Sequence, residues 1–202
     1  SRGPDPIPLL IETLRHRRSD TGLQEAVRRA AAVALSQYGP VALPAAKALR
    51  ESLYDPGYGV SLAAASALAA LGPEGLQILK AELDAEELAS NRLWGLVFAL
   101  GKMGAQAAEA APELARALQH ADDKVRSQAA ESLGLIGPLA LCAAPKLIAA
   151  LKDENWSVRH SAAESLGLLD AIEAIPQLEK LSDDPNELVR SCAKEAIKRL
   201  RP

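Results

Sequence analysis

A segment running from Asp123 to Gly137, "DKVRSQAAESLGLIG", has a near copy from Trp156 to Asp170, "WSVRHSAAESLGLLD". Counting forward from Val125, the residues Ala129, Ala130, Leu133 and Gly137 stand at steps four, five, eight and twelve. From Val158 the same steps give Ala162, Ala163, Leu166 and Asp170. From Val27 they give Ala31, Ala32, Leu35 and Gly39, and from Val60 they give Ala64, Ala65, Leu68 and Gly72. A weaker copy starts at Arg92 with Leu96, Val97, Leu100 and Gly104, and a last one at Val189 with Ala193 and Ile197. Successive anchors are 33, 32, 33, 33 and 31 residues apart. A period of this size restricts the chain to architectures in which one supersecondary unit is stacked on its own copies.

Within each unit, apolar residues at steps zero, four, eight and eleven make one stripe of a first helix. The glycine at step twelve suits the left-handed residue that closes a helix. A second helix follows in "AAPELARAL", "AAPKLIAAL" and "AIPQLEKL", with Pro112, Pro145 and Pro176 near its start, where a missing N–H costs little. Acidic turns such as "HADD", "KDEN" and "SDDPN" supply caps for the next first helix. The units run approximately over 21–56, 57–87, 88–121, 122–154 and 155–184. Partial units at 1–20 and 185–202 complete a single repeat domain over 1–202. The first partial unit reads as a second helix without its first, and the last as a first helix without its second. Lys194, Glu195, Lys198, Arg199 and Arg201 would then form a polar cap, unless the chain is cut from a longer array.

Composition agrees with helices. Of the residues, 49% are hydrophobic but only 3% aromatic, so the apolar content is mostly Ala, Leu, Val and Ile, and Ala and Leu favour helix. The net charge of −3 provides no field for drawing in nucleic acid or anionic lipid. No uninterrupted apolar run approaches the roughly 20 residues that span a bilayer. Cys142 and Cys192 fall in different units and read as free thiols in a reducing, cytoplasmic compartment. The chain begins at Ser1 and its only methionine is Met103, which implies a processed or shortened natural N-terminus.

The pattern D-x-x-x-V-R-x-x-A-A-x-x-L-G-x-x-G with a trailing A-x-P-x-L-x-x-A-L resembles HEAT repeats. It is most similar to the HEAT-like class named after phycobilisome lyases. The resemblance implies an all-α fold: a right-handed α-solenoid of stacked antiparallel helix pairs, a HEAT/armadillo-like superhelix. It also implies that second helices line the concave, partner-binding side. There Glu113 with Arg116, Lys146 with Ala149, and Gln177 with Lys180 present mixed signs.

Two features depart from a uniform frame. An arginine follows the anchor valine as Arg28, Arg126, Arg159 and Arg190, and acidic turns at Asp20, Asp122 and Asp123, Asp153, and Asp183 and Asp184 offer it partners. The expectation is structural ion pairs rather than a basic ladder for phosphates. Steps two and six are polar in the late copies (Ser127 and Glu131, His160 and Glu164, Ser191 and Glu195) but become Leu62 with Ser66, then Trp94 with Phe98. These apolar residues are either buried between slightly rotated neighbours or form an exposed docking or self-association patch of Leu62, Trp94 and Phe98. Tyr58 and Trp156, two residues before an anchor valine, either cover the joint between units or rim a groove.

No catalytic grouping emerges. His16, His120 and His160 lie apart, and none is followed by Glu, so the His-Glu pairs of metal-dependent HEAT hydroxylases are missing. His160 and Glu164 read as a solvated pair, and neither metal nor cofactor is expected. The reading is a non-catalytic scaffold or adaptor whose partner is another protein or peptide. One alternative is a subunit of a bilin lyase or other chromophore-handling complex, resting on the resemblance alone. A second is a nucleic-acid-binding array, disfavoured by the charge. A purely structural or designed array is the last.

Overall fold

A computed structural model describes residues 5–16, 22–84 and 88–201, and among them there is helix but no β-strand. Two compact units are present, Ser1–Ala99 and Leu100–Pro202. In the first, α1 (Ile7–Arg15) precedes α2 (Gly22–Gln37), α3 (Ala46–Ser52), α4 (Tyr58–Ala70), α5 (Pro73–Leu83) and the start of α6 (Ser90–Lys102). The second holds the end of α6, then α7 (Ala111–Ala117), α8 (Asp123–Ile136), α9 (Ala144–Ala150), α10 (Trp156–Leu168), α11 (Ile175–Glu179) and α12 (Glu187–Leu200).

First helices pack on first helices. α2 lies on α4, and α10 sits between α8 and α12. Second helices α3, α7, α9 and α11 back onto them. The stripe residues Leu35, Leu68, Leu96, Leu133 and Leu166 are buried, as are Leu49, Leu79, Leu114, Leu147 and Leu178 from the second helices. Truncating one such leucine to alanine costs about 2–5 kcal/mol, so these layers carry the fold.

Gly39, Gly72, Gly104 and Gly137, all at step twelve, take φ between 53° and 79°, and Asp170 takes the same slot at φ 58°. The expected helix stop is therefore met five times. The segment after the stop is less expected. A 3-10 stretch separates first from second helix at Gly39–Ala45, Gly104–Ala110 and Gly137–Ala143. Pro112 and Pro145, at the start of α7 and α9, have no N–H to close an α-helical bond backward. The chain ahead of them tightens instead. This break also divides Asp123–Ala150, a helical run long and apolar enough by length and composition to cross a membrane. Gly137 splits it into α8, a 3-10 turn and α9.

The repeated "ESLG" has a steric purpose. A Cβ on Gly101 would meet Ser132 Oγ at 2.5 Å, one on Gly134 would meet Ser165 Oγ at 2.5 Å, and one on Gly167 would meet Ala196 at 3.1 Å. The glycine at step nine of one first helix is thus the seat for the small residue at step seven of the next. Ser165 Oγ donates a further hydrogen bond to the Ala130 carbonyl at 2.7 Å, tying α10 to α8.

Candidate functional site

The recurring arginines are built into the joints. Arg28 Nε donates to Asp55 Oδ2 at 2.8 Å, Arg126 Nε to Asp153 Oδ2 at 2.7 Å, and Arg159 Nε to Asp184 Oδ2 at 2.7 Å. In each case a second nitrogen of the fork reaches the other carboxylate oxygen. The same Asp55, Asp153 and Asp184 accept the N–H of Gly57, Asn155 and Asn186, at the entry to the following first helix. Arg126 and Arg159 also use Nη1 to hold two carbonyls of their own turns. Arg190 grips the Asp184 and Pro185 carbonyls. The expected structural pairing is what the geometry contains, with the acid supplied by the next turn; Asp20 lies outside the described residues. Asp122, Asn155 and Asn186 cap α8, α10 and α12 as the acidic turns predicted.

These pairs move the acids. For Asp184, the Arg159 hydrogen bond outweighs burial and holds the carboxyl below its ordinary value. For Asp153, burial pushes upward, but the Arg126 hydrogen bond, the Asn155 N–H and both neighbouring guanidinium charges together bring it down. Arg126 and Arg159 are raised in turn, first by those same bonds.

The first-helix face carries the variable positions. A side chain at step two leans over the next first helix. Arg29 lies against the Gly59 position, Leu62 against that of Gly95, and Ser127 Oγ meets Ser161 Oγ at 3.1 Å. In the first unit this face carries Arg29 and Ser66 but is otherwise apolar, with Val33, Leu62, Trp94 and Phe98. Trp94 and Phe98 stack with ring centroids 5.2 Å apart and planes 10° from parallel. Both are half-buried, as is Leu62, while Val33, at step six of α2, is exposed. The sequence left two readings open for Leu62, Trp94 and Phe98, and in the structure all three are half-buried. Tyr58 and Trp156 are both nearly half exposed at the first positions of α4 and α10.

The same face in the second unit is polar. His160, Glu164, Leu188, Ser191, Cys192 and Glu195 line an open groove of about 590 Å³ between α10 and α12. Cys192, to which the sequence assigns no role beyond a free thiol, donates to the His160 carbonyl at 3.5 Å, and burial, then the Glu164 charge, push its thiol up to about 11. Neither Tyr58 nor Trp156 lines this groove. Among the described residues no three His, Cys, Asp or Glu side chains gather to hold a metal ion.

Where α3, α5 and α6 begin or end, a polar cluster interrupts the pattern. Glu82 Oε1 accepts from Arg50 Nε at 2.6 Å and Oε2 accepts from the Tyr54 hydroxyl at 2.5 Å. The Arg92 guanidinium lies 4.2 Å from the centroid of the Tyr54 ring. The Glu82 bond is the chief cause raising both Tyr54 and Arg50. Sequence reasoning marks Arg92 as a misfit anchor and misses Glu82.

Residues 140–198 match the family model for HEAT repeats, and residues 125–153 that for the PBS lyase HEAT-like repeat. No curated protein matches the chain. Among solved structures, human deoxyhypusine hydroxylase in complex with glycerol is 27% identical, over 96% of this chain and 73% of that one, with a TM-score of 0.52. The CpcE–CpcF complex of phycocyanin lyase from Nostoc sp. PCC7120 is 23% identical, over 96% and 82%, at 0.50. Kap121p bound to Pho4p is 17% identical, over 96% of this chain but 23% of its own length, at 0.68. Stacked helix pairs, step-twelve stops and Arg–Asp joints accord with these matches: the chain carries HEAT-like repeats, matched over residues 125–198, on an all-α solenoid fold.

Proposed function

We propose that this protein is a non-catalytic scaffold that holds a protein or peptide on the first-helix face of its Ser1–Ala99 unit. Leu62, Trp94 and Phe98 form the centre of that surface, and Val33 extends it along α2. The supporting observation is the stacked, half-accessible Trp94–Phe98 pair at two positions that are Ser, His and Glu in the late copies. The late copies join α8, α10 and α12 with Ser127, His160 and Ser191 at step two and Glu131, Glu164 and Glu195 at step six, so aromatics are not a requirement of the joint. Covering one such side chain contributes about 1.5–3 kcal/mol, the scale of a binding hot spot. Kap121p with Pho4p and CpcE with CpcF are neighbours in fold whose structures hold protein partners, which agrees with this reading.

Peptides selected from a random displayed library on the wild-type protein provide the test. The double variant Trp94→Ala, Phe98→Ala is expected to weaken their binding by about a hundredfold, as loss of two hot-spot residues implies, while its helical circular dichroism stays unchanged. Equal binding by the double variant refutes the assignment. The chromophore-handling alternative rests on likeness of fold, and a change in visible absorbance when a free bilin is mixed with the protein would favour it.

A further inference from the structure

In α3, α5, α7, α9 and the turn that ends α11, a buried residue stands three positions after the core leucine. These are Ser52 after Leu49, Ala117 after Leu114, Ala150 after Leu147 and Leu181 after Leu178. After Leu79 the slot holds Glu82, 2% exposed. The frame takes serine, alanine or leucine there, so a buried acid is not a requirement of packing. Desolvating a carboxylate costs several kcal/mol unless bonds replace its water, and here Arg50 and Tyr54 occupy one oxygen each.

What Glu82 achieves is placement. It holds Arg50 by Nε, which leaves the terminal nitrogens of a side chain 60% exposed facing water. It also fixes Tyr54, whose ring carries Arg92. Arg28, Arg126 and Arg159 each have an aspartate across the joint, whereas the described residues include no carboxylate paired with Arg92. Glu82 thus bonds one of the two guanidinium groups, while the other, that of Arg92, rests against an exposed phenol ring. Planar forks of this kind match carboxylates, often two bonds at a time.

We propose that Arg50, Tyr54 and Arg92, braced by Glu82, form a carboxylate-recognition site for an acidic segment of a partner protein. This rests on the scaffold reading and names the chemistry of what is held. A guanidinium set over the exposed Tyr54 ring suits a peptide carboxylate with apolar neighbours. Free phosphate shares the oxyanion chemistry and is the competing source.

Fluorescence anisotropy of dye-labelled hexaglutamate tests the site, with hexaglutamine and inorganic phosphate as the other probes. The variant Arg50→Gln, Arg92→Gln is expected to lose about tenfold or more in hexaglutamate affinity, and Lys152→Gln, a lysine exposed in the turn after α9, to stay within about twofold of wild type. If the double variant loses its helical circular dichroism, Arg92→Lys takes its place, keeping the charge without the fork, with about a threefold loss expected. Equal hexaglutamate affinity in wild type and variant overturns the proposal. So does hexaglutamine binding as tightly, or phosphate binding with the same arginine dependence where hexaglutamate does not bind. Failure here with displayed peptides still dependent on Trp94 and Phe98 removes only the acidic partner. Loss of that dependence as well removes the scaffold reading.

Discussion

Cys142 and Cys192 are alike on paper and differ in their surroundings. Cys142 is exposed in the 3-10 turn before α9, whereas Cys192 sits against the His160 carbonyl with its thiol pushed up to about 11. The thiolate is the reactive form, so at neutral pH Cys142 is expected to be alkylated by iodoacetamide much the faster. The Cys192 rate should go on climbing as pH approaches 11, where that of an ordinary thiol has levelled off. Mass spectrometry of quenched time points reads both rates, and equal rates at pH 7 contradict this assignment. At this scale the sequence is legible where a residue repeats and opaque where it does not. Arg126 and Arg159 could be paired with turn acids because the arrangement recurs with the period. Glu82 has no copy to compare and needs partners from α3, well back along the chain, so no local pattern points to it.

Helices in this fold are joined by seats and clamps, and each makes a measurable claim. Gly134→Ala gains about 1 kcal/mol of helix propensity, yet its new Cβ would stand 2.5 Å from Ser165 Oγ. That hydroxyl is held by the Ala130 carbonyl and cannot swing aside freely. Overpacking costs about 1–3 kcal/mol, so a net loss of roughly 1 kcal/mol is expected in urea unfolding. Arg159→Ala removes the clamp and leaves Asp184 buried without its counter-charge, for an expected loss of about 3 kcal/mol in the same measurement. Element ends were readable where φ is dictated, as at Gly137 and even Asp170, which adopts the glycine conformation in the glycine slot. The 3-10 turns were not, because they arise from a proline acting backward on residues whose own composition, mostly alanine, looks helical.

For the molecule as a whole, the depressed Asp153 and Asp184 carboxyls set a direction for acid stability. An acid whose folded value lies below its unfolded one stabilises the fold above the unfolded value, near 4, and loses that contribution as pH falls through the folded value. The midpoint of thermal unfolding is therefore expected to drop over the interval from about pH 4 downward. Asp153→Asn with Asp184→Asn should start lower at pH 7 and fall less across that interval. A variant curve running parallel to wild type would disprove the linkage. The all-α repeat architecture was legible because periodicity is a property of the whole string. The accessible face was legible only as a choice, since half-burial of Trp94 and Phe98 depends on how far α4 leans over Gly95. The joints have a consequence for growth. A cassette cut from one acidic turn to the next carries both a guanidinium that reaches forward and an aspartate that receives one, both a hollow and the side chain that fills it. Tandem duplication of such a cassette would thus create a new seam already matched to itself, and the array could lengthen by copying without any prior adaptation at the insertion point.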